Sequence, residues 1–567
     1  MNKTAKSFGI VTSFSIVTRL VSFIFKMWMS RALGAEVVGL YQIALSVLLM
    51  LFTITAGAPT VLSRKIAESS GNLKKQNSLL TASVIMGLGI SAAICALFYG
   101  LGTKISPLFS NPDCLPIFFI MLPTILTSTL YASLRSWFWG RKKFLAFSST
   151  ELIDEIVKIA LSIAFTGGLI SRLNGAQNIA LAMTISDLAC VLILLVLFFA
   201  TGGRLTKPSG FKELTLKTIP LSATRIITSL GASLTALILP KMLVKAGLTL
   251  AEATAQYGRV AGMALPLIMA PVTFIGALSV VLVPDVAELR AKGNMDAVRS
   301  KMSVSLLFSV IIASLFFAIY LPLGQSLGQL LFKDSEAGKF VSYCSLMLFP
   351  IATAQSTTPM LNSLGKERIT LLGTVVGAIA MIPCILFMPK YIGIYAMALS
   401  TGLCFLLIAI INLIVLKKEV GSFVNHKKNL PLILLSIPLA VTGLFGAKLL
   451  CRYADYITAI VVVGVYILFF FFLIISAFNV VDVTTCIKMF APQKASASKT
   501  AAKSTSKRQK KHTKMRKKPN EKRAKAVQNG CKKHTKNTLR QSKPRLSETA
   551  KTTERTHKRV SAKQNLA

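Results

Sequence analysis

Charge is scarce in this chain. Only 15% of its 567 residues are Asp, Glu, Lys or Arg, against about a quarter in soluble domains. With 53% apolar residues and a mean hydropathy of +0.63, that shortage excludes an ordinary water-soluble enzyme. Histidine is scarcer still: His426, His512, His534 and His557 all fall in polar segments. No imidazole is therefore placed to act as ligand or base inside the apolar part. The nine cysteines stand singly, without CxxC or metal-ligand spacing, which argues against a disulfide framework and a zinc site. They read as small apolar fillers inside helices. With no activated nucleophile, metal cluster or phosphate-cradling glycine loop, no catalytic residue, metal or cofactor is expected, and no ATP hydrolysis.

What charge there is divides unevenly. Residues 491–567 hold 25 Lys/Arg against Glu521, Glu548 and Glu554, a net +22; residues 1–490 hold 40 against 18, also +22. The chain is an apolar body followed by a short basic tail. The tail is rich in Lys, Arg, Ser and Thr, cannot bury a core and is expected to be disordered. A cytoplasmic polybasic segment is attracted to anionic membrane lipids. Nucleic acid is the lesser expectation, because the tail has no aromatic residue to stack on bases.

The body reads as an all-α polytopic membrane protein. A bilayer core of about 30 Å needs roughly 20 apolar residues of helix. Fourteen runs meet this: 8–30, 37–60, 79–101, 115–137, 150–170, 178–200, 217–240, 257–283, 303–323, 340–361, 369–389, 392–415, 430–450 and 456–478. The first has a basic start but also Arg19 and Lys26 and no clean cleavage site, so it is read as a retained span. With the N-terminus cytoplasmic, the cytoplasmic segments hold 24 Lys/Arg and the opposite loops ten. That bias puts both termini inside.

The body also looks duplicated. GLYQIALSVLL (39–49) and APTVLSRKIAESSGNLKK (58–75) recur about 220 residues on as AQYGRVAGMALPL (255–267) and LSVVLVPDVAELRAKGNMDA (278–297). Tyr41 corresponds to Tyr257, Ala67-Glu68 to Ala287-Glu288, and Gly71-Asn72 to Gly293-Asn294. A third echo pairs Gly140-Arg141-Lys142-Lys143-Phe144 with Gly365-Lys366-Glu367-Arg368-Ile369. The expected organisation is two pseudo-symmetric six-helix lobes, 1–205 and 206–418, then two further helices within 419–490 and the tail. Six spans per half makes the repeats parallel, and such transporters bind substrate near the midplane between halves.

Charge inside a span is costly and marks a cavity. Span 1 carries Thr12, Ser15, Arg19, Ser22, Lys26 and Ser30 within about 80° of one helical face. Span 7 repeats the device with Thr218, Ser222, Arg225, Ser229 and Ser233. Neither span contains an acid. Two such faces meeting would make a wet, positive cavity suited to a phosphate-bearing anion, which guanidinium groups bind bidentately. The bland alternative is that the hydroxyls glue helices together. Arg31, Arg64 and Arg259 are further candidate cavity cations, with a loop or headgroup role standing beside the ligand role. Asp187, about nine residues into span 6, is either an internal partner for a buried cation or a coupling-ion site. Glu151, Asp154, Glu155 and Lys158 share one face at the start of span 5 and read mostly as interfacial, with Asp154–Lys158 at salt-bridge spacing.

TRLVSFIFKMWMSRALGAEVVGLYQIALSV (18–47), AGAPTVLSRKIAE (56–68), ELIDEIVKIALSIAF (151–165) and YGRVAGMALPLIMAPVTFIGALSVVLVPDVAE (257–288) resemble one known group. It is the polysaccharide-transporter branch of the MOP (multidrug/oligosaccharidyl-lipid/polysaccharide) exporter superfamily, within it the stage V sporulation protein B group and MurJ-type lipid II flippases. The likeness covers about 1–480. It implies a MATE/MurJ-like fold in two rocking lobes, a central cationic cavity and polyprenyl-diphosphate-linked sugars as substrates. By position, Arg19 matches the family's first-helix cavity arginine and Arg31 the arginine before the LGA turn. Where some flippases have a second cavity arginine, this chain has Phe25 beside Lys26.

The expected function is therefore export of a lipid-linked saccharide, such as a peptidoglycan precursor, across the bacterial cytoplasmic membrane. Its setting would be cell-wall or spore-cortex synthesis, with cell-wall synthesis proteins as partners. The diphosphate would sit between Arg19, Lys26 and Arg225. Two rivals stand beside it: a multidrug/cation antiporter of the same superfamily, and a membrane scaffold acting through its basic tail.

Overall fold

The computed structural model describes residues 3–478 except Ser70 and Ser171. The basic segment 491–567 lies outside the described residues. The described residues are predominantly helical, with no strand among them. In hydrocarbon each unpaired backbone group costs several kcal/mol, and a helix satisfies its own.

Each of the fourteen expected spans coincides with helix. α1 (Lys3–Thr55) runs through the first two expected spans, and Gly34, at φ 81°, leaves helical geometry between them. The Ala56 break separates α1 from α2 (Gly57–Glu68). Then come α3 (Leu73–Leu101), α4 (Cys114–Met121), α5 (Thr124–Gly140), α6 (Phe144–Ala164) and α7 (Gly175–Ala200). An irregular segment over 201–210 leads to α8 (Phe211–Lys245). The expected span 8 is divided into α9 (Leu250–Gly258), a π turn over 259–264, α10 (Leu265–Met269) and α11 (Val272–Ala291). After these lie α12 (Met295–Phe332), α13 (Ser335–Cys344), α14 (Leu348–Ser363), α15 (Glu367–Phe387), α16 (Pro389–Ile392), α17 (Ala396–Val420), α18 (His426–Tyr453) and α19 (Tyr456–Ala477).

Among the described residues, ten helical stretches can cross a membrane by length and composition alone, eleven with the bent pair Leu250–Met269 and Val272–Leu278. The first of the ten is 56 residues, Ser13–Glu68. At 1.5 Å per residue it would be roughly 84 Å long if straight, enough for two crossings. α6 is not among the ten: it carries Glu151, Asp154, Glu155 and Lys158 in 21 residues.

The partition of side chains inverts that of a soluble protein. Phe445, Phe472 and Val196 are two-thirds exposed or more, while Ser83, Ser91, Ser186 and Ser400 are fully buried. The outward apolar surface suits lipid; Ser186 and Ser400 bond carbonyls of their own helices, while other buried polar groups tie helices together. Ser91 and Thr129 lie 2.8 Å apart between α3 and α5. Asn412 Nδ2 donates to Thr357 and Thr358 between α17 and α14. α12 packs on α13, α14 and α18, and α1 on α6, α8 and α9.

One of the sequence echoes shares its local structure. Gly71 (φ 89°) and Gly293 (φ 72°) both adopt the left-handed conformation that favours glycine. The asparagine that follows each caps the next helix. Asn72 accepts from Lys75 N at 3.0 Å and Asn294 from Ala297 N at 3.1 Å. The same stop-and-restart device thus joins α2 to α3 and α11 to α12.

Candidate functional site

The two polar stripes meet different fates. On α1, Arg19 is exposed and makes no hydrogen bond or ion pair with any described residue, whereas Ser15, Ser22 and Lys26 are half-buried. Ser30, at the far end, is buried and donates to the Phe332 carbonyl at 3.2 Å. On α8 the stripe lies against the second half of α1 and the start of α2. Ser233 Oγ donates to Ser46 O at 2.8 Å, and Ser229 Oγ lies 3.2 Å from Thr53 Oγ1. Arg225 reaches the Ala56 break, donating to Ala56 O at 3.0 Å and to Thr60 Oγ1 at 2.9 Å. Thr218 and Ser222 are buried against Gly57, where an added Cβ would stand 2.5 Å from Ser222 Oγ. Ser229 and Ser233 therefore tie this helix pair together. Arg225 thus bridges the carbonyl at the break and a hydroxyl in the first turn of α2.

Arg31 lies on the other side of α1 from the stripe. It lines a groove of about 330 Å³ with Ile24, Met27 and Trp28. Its guanidinium donates to the Leu331 carbonyl at 2.9 Å and to that of Leu330. Arg259, in the π turn after α9, donates through Nε to Asp334 Oδ2 at 2.7 Å. Two candidate cations thus converge on the turn joining α12 to α13. Arg64 is exposed on α2.

Close beside this, the backbones of expected spans 2 and 8 cross. A Cβ on Gly258 would stand 2.0 Å from Ala35 O and 2.6 Å from Gly39 N, and one on Gly39 only 2.1 Å from Thr254 O. Small residues let membrane helices approach this closely. Asn111 Nδ2 to Thr254 Oγ1, at 3.2 Å, and Lys241 Nζ to Pro107 O, at 2.6 Å, add to the same closure.

Asp187 has company that the sequence reading placed elsewhere. Asp154, Glu155 and Lys158 of α6 turn inward rather than lying at an interface. Glu155 and Lys158 side chains are only 17% and 14% exposed, and they pair at 2.8 Å. The ion pair formed is thus Glu155–Lys158, not Asp154–Lys158. Lys158 Nζ sits 5.9 Å above the Phe25 ring of α1. Asp154 interacts electrostatically with Lys158 and Glu155. Asp187 feels Asp154, Lys158 and Glu155, and Lys26 feels Glu155 and Lys158. Lys26, Asp154, Glu155, Lys158 and Asp187 therefore form one electrostatic cluster across α1, α6 and α7. The sequence signal for it was the rarity of acids in spans: Asp187 stands in an otherwise apolar run, and Asp154 and Glu155 lie within span 5.

A fold of this kind recurs among solved transporters. The chain superposes on the lipid II flippase MurJ in its inward closed conformation with a TM-score of 0.66 at 13% identity, covering 82% of this chain and 97% of that one. A multidrug resistance MATE family transporter of the MOP superfamily, in its inward-facing conformation, gives 0.62 at 12% identity, covering 72% and 95%. Stage V sporulation protein B of Bacillus subtilis (strain 168) is 22% identical over 393 residues, 65% of this chain and 74% of that protein. Sporulation protein YkvU of the same organism is also 22% identical, over 322 residues, 55% and 71%.

Fold and relatives define a class: an all-α, multi-pass membrane protein with the fold of the MurJ and MATE transporters. The profile of one family, described as "Polysaccharide biosynthesis protein", matches residues 4–290, just over half of the chain. The protein belongs to that family.

Proposed function

We propose that this protein is a flippase that carries a polyprenyl-diphosphate-linked saccharide, such as a peptidoglycan precursor, across the bacterial cytoplasmic membrane. Residues 1–205 and 206–418 would move as two lobes giving alternating access, with 419–490 appended and both termini cytoplasmic. One observation carries the reading: a guanidinium, Arg19, stands exposed and without a described partner on the hydroxyl-bearing face of a membrane-spanning helix. A fixed cation there is costly unless it meets water and an anion. A diphosphate supplies the anion and accepts the bidentate geometry of Arg.

In this reading Arg19 and Lys26 meet the diphosphate, Arg225 borders the cavity at the Ala56 break, and the polyprenyl chain stays in lipid. Arg31 and Arg259 hold the expected outer side closed and become available to the headgroup when that side opens. Arg64 meets it at the inner mouth. Asp187, with Asp154, Glu155 and Lys158, is the site where an ion or proton couples to the movement.

The test is outer-leaflet accessibility of lipid-linked peptidoglycan precursor in cells that depend on this protein. Arg19→Ala should abolish outward appearance and Arg19→Lys restore part of it, because a point charge replaces only part of the fork. Unchanged accessibility in Arg19→Ala would refute the assignment. The carboxylates near Asp187 favour a second reading, a cation antiporter. Efflux of a cationic dye lost in Asp187→Asn but kept in Arg19→Ala would select it.

A further inference from the structure

We propose that the cleft between the start of α12 and the segment joining α17 to α18 binds the phosphate group of an anionic membrane lipid. The cleft has a volume of about 540 Å³. Its wall includes Arg299, Ser300 and Ser303 of α12, Ser422 of the joining segment, and His426 and Lys427 of α18. Its lining holds Lys427, the imidazole of His426, three hydroxyl donors and Arg299, whose Nη1 is paired with Asp296 outside the lining.

The cleft is built rather than incidental. Gly421, at φ 87°, turns the chain out of α17 around Arg299. Arg299 Nε donates to the Val420 carbonyl, and Nη1 pairs with Asp296 at 2.7 Å, which fixes the guanidinium plane. Phe423, 5% exposed, packs with Val298, Met302, Leu416 and Val420 and anchors the joining segment. The polar wall is thus held by a buried apolar one.

Two features point to a lipid rather than a free anion. The cleft lies at helix ends on the face expected to carry most Lys and Arg, where basic pockets between membrane helices take anionic headgroups. Directly from His426 an apolar strip runs along α18 at helical spacing: Leu430, Leu434, Ile437 and Val441, all exposed. A phosphate in the cleft would leave its acyl chains on that strip. A soluble phosphate uses only the first half of this arrangement.

The experiment uses the full chain, purified and placed in nanodiscs of phosphatidylcholine with a trace of photoactivatable phosphatidylglycerol. The expected result is crosslinking to residues 422–441 that excess phosphatidylglycerol competes away and excess phosphatidylcholine does not. Lys427→Gln should lower this crosslinking about fivefold, as one surface lysine contributes attraction of that order, and Lys427→Glu should lower it further. Lys418→Gln, an exposed lysine near the same membrane face but outside the cleft, should leave it unchanged. The basic tail is present in every variant and cannot produce the difference. Equal competition by both lipids, or equal loss in Lys418→Gln, would overturn the proposal. Displacement by millimolar inorganic phosphate would instead make this a site for a soluble anion.

Discussion

Arg259 and Asp334 are joined by a 2.7 Å ion pair, and the same aspartate caps α13 by accepting from Ala337 N at 2.9 Å. The two functions separate by substitution. Asparagine caps as well as aspartate, so Asp334→Asn removes the ion pair and spares the helix start. The expected outcome is a looser closure where Arg31, Ser30 and Arg259 meet the turn after α12. Ser30→Cys, buried at the Phe332 carbonyl, reports it. A membrane-impermeant maleimide should label this cysteine several-fold faster with Asp334→Asn than without. Equal rates would mean that the pair does not hold the closure.

The Gly39–Gly258 crossing sets a second condition on that closure. The obstacles facing a Cβ at Gly258 are backbone atoms, Ala35 O and Gly39 N, which cannot rotate away. Gly258→Ala should therefore push expected spans 2 and 8 apart and cost about 1–3 kcal/mol, the usual range for overpacking. Gly89→Ala and Gly100→Ala, with nothing within 4 Å, are the controls and should be neutral or slightly stabilising in their helices. Thermal unfolding in detergent ranks the three, and a neutral Gly258→Ala would contradict the crossing.

The cluster around Lys158 makes a double-substitution prediction. Lys158→Met leaves Glu155 largely buried without its partner, a loss on the order of 3 kcal/mol for a broken buried pair. Glu155→Gln combined with Lys158→Met should recover most of it, since neither charge is then stranded. The coupling term comes from unfolding of the two single variants and the double one. Simple additivity would show that the pair is solvated rather than buried.

Much of this was legible from the chain, for identifiable reasons. Runs of twenty apolar residues fall on helices because lipid offers backbone groups no other partner. The Gly71-Asn72 and Gly293-Asn294 echoes recur because a left-handed glycine and a capping asparagine are local requirements that short motifs carry. Residues whose role depends on distant neighbours were not legible. Arg31 finds its acceptors at Leu330 and Leu331, about 300 positions away, and no spacing along span 1 announces them. The α6 charges looked interfacial because their position near a span end was visible, while the faces of α1 and α7 that enclose them were not. The α8 stripe was read correctly as polar, but whether it faces water or another helix is settled by Gly57 on α2.

The basic tail offers a prediction about division of labour. If transport resides in the helical body, deleting 491–567 should leave outward appearance of the lipid-linked precursor unchanged in the accessibility assay. A scaffold acting through the 25 Lys/Arg of that segment would lose its activity instead. The membrane-embedded body must accumulate to the same level in both forms for the comparison to hold, which an immunoblot of the membrane fraction establishes.

Arg19 and Arg225, equivalent by their place in the two polar stripes, should behave differently when replaced. Arg19 is exposed with no described partner, so Arg19→Ala should change stability by no more than about 0.5 kcal/mol, as at other surface positions without contacts. Its effect should fall on transport. Arg225 bridges Ala56 O and Thr60 Oγ1 across a helix break. Arg225→Ala removes those donors and should cost on the order of 1–3 kcal/mol, whatever it does to transport. Arg225→Lys, which cannot span both acceptors with a planar fork, should recover only part of that stability. Unfolding and transport measured on the same four proteins separate the roles. A large loss of stability in Arg19→Ala would mean that its guanidinium is a structural strut, leaving no fixed cation on the span 1 stripe to receive a diphosphate except Lys26.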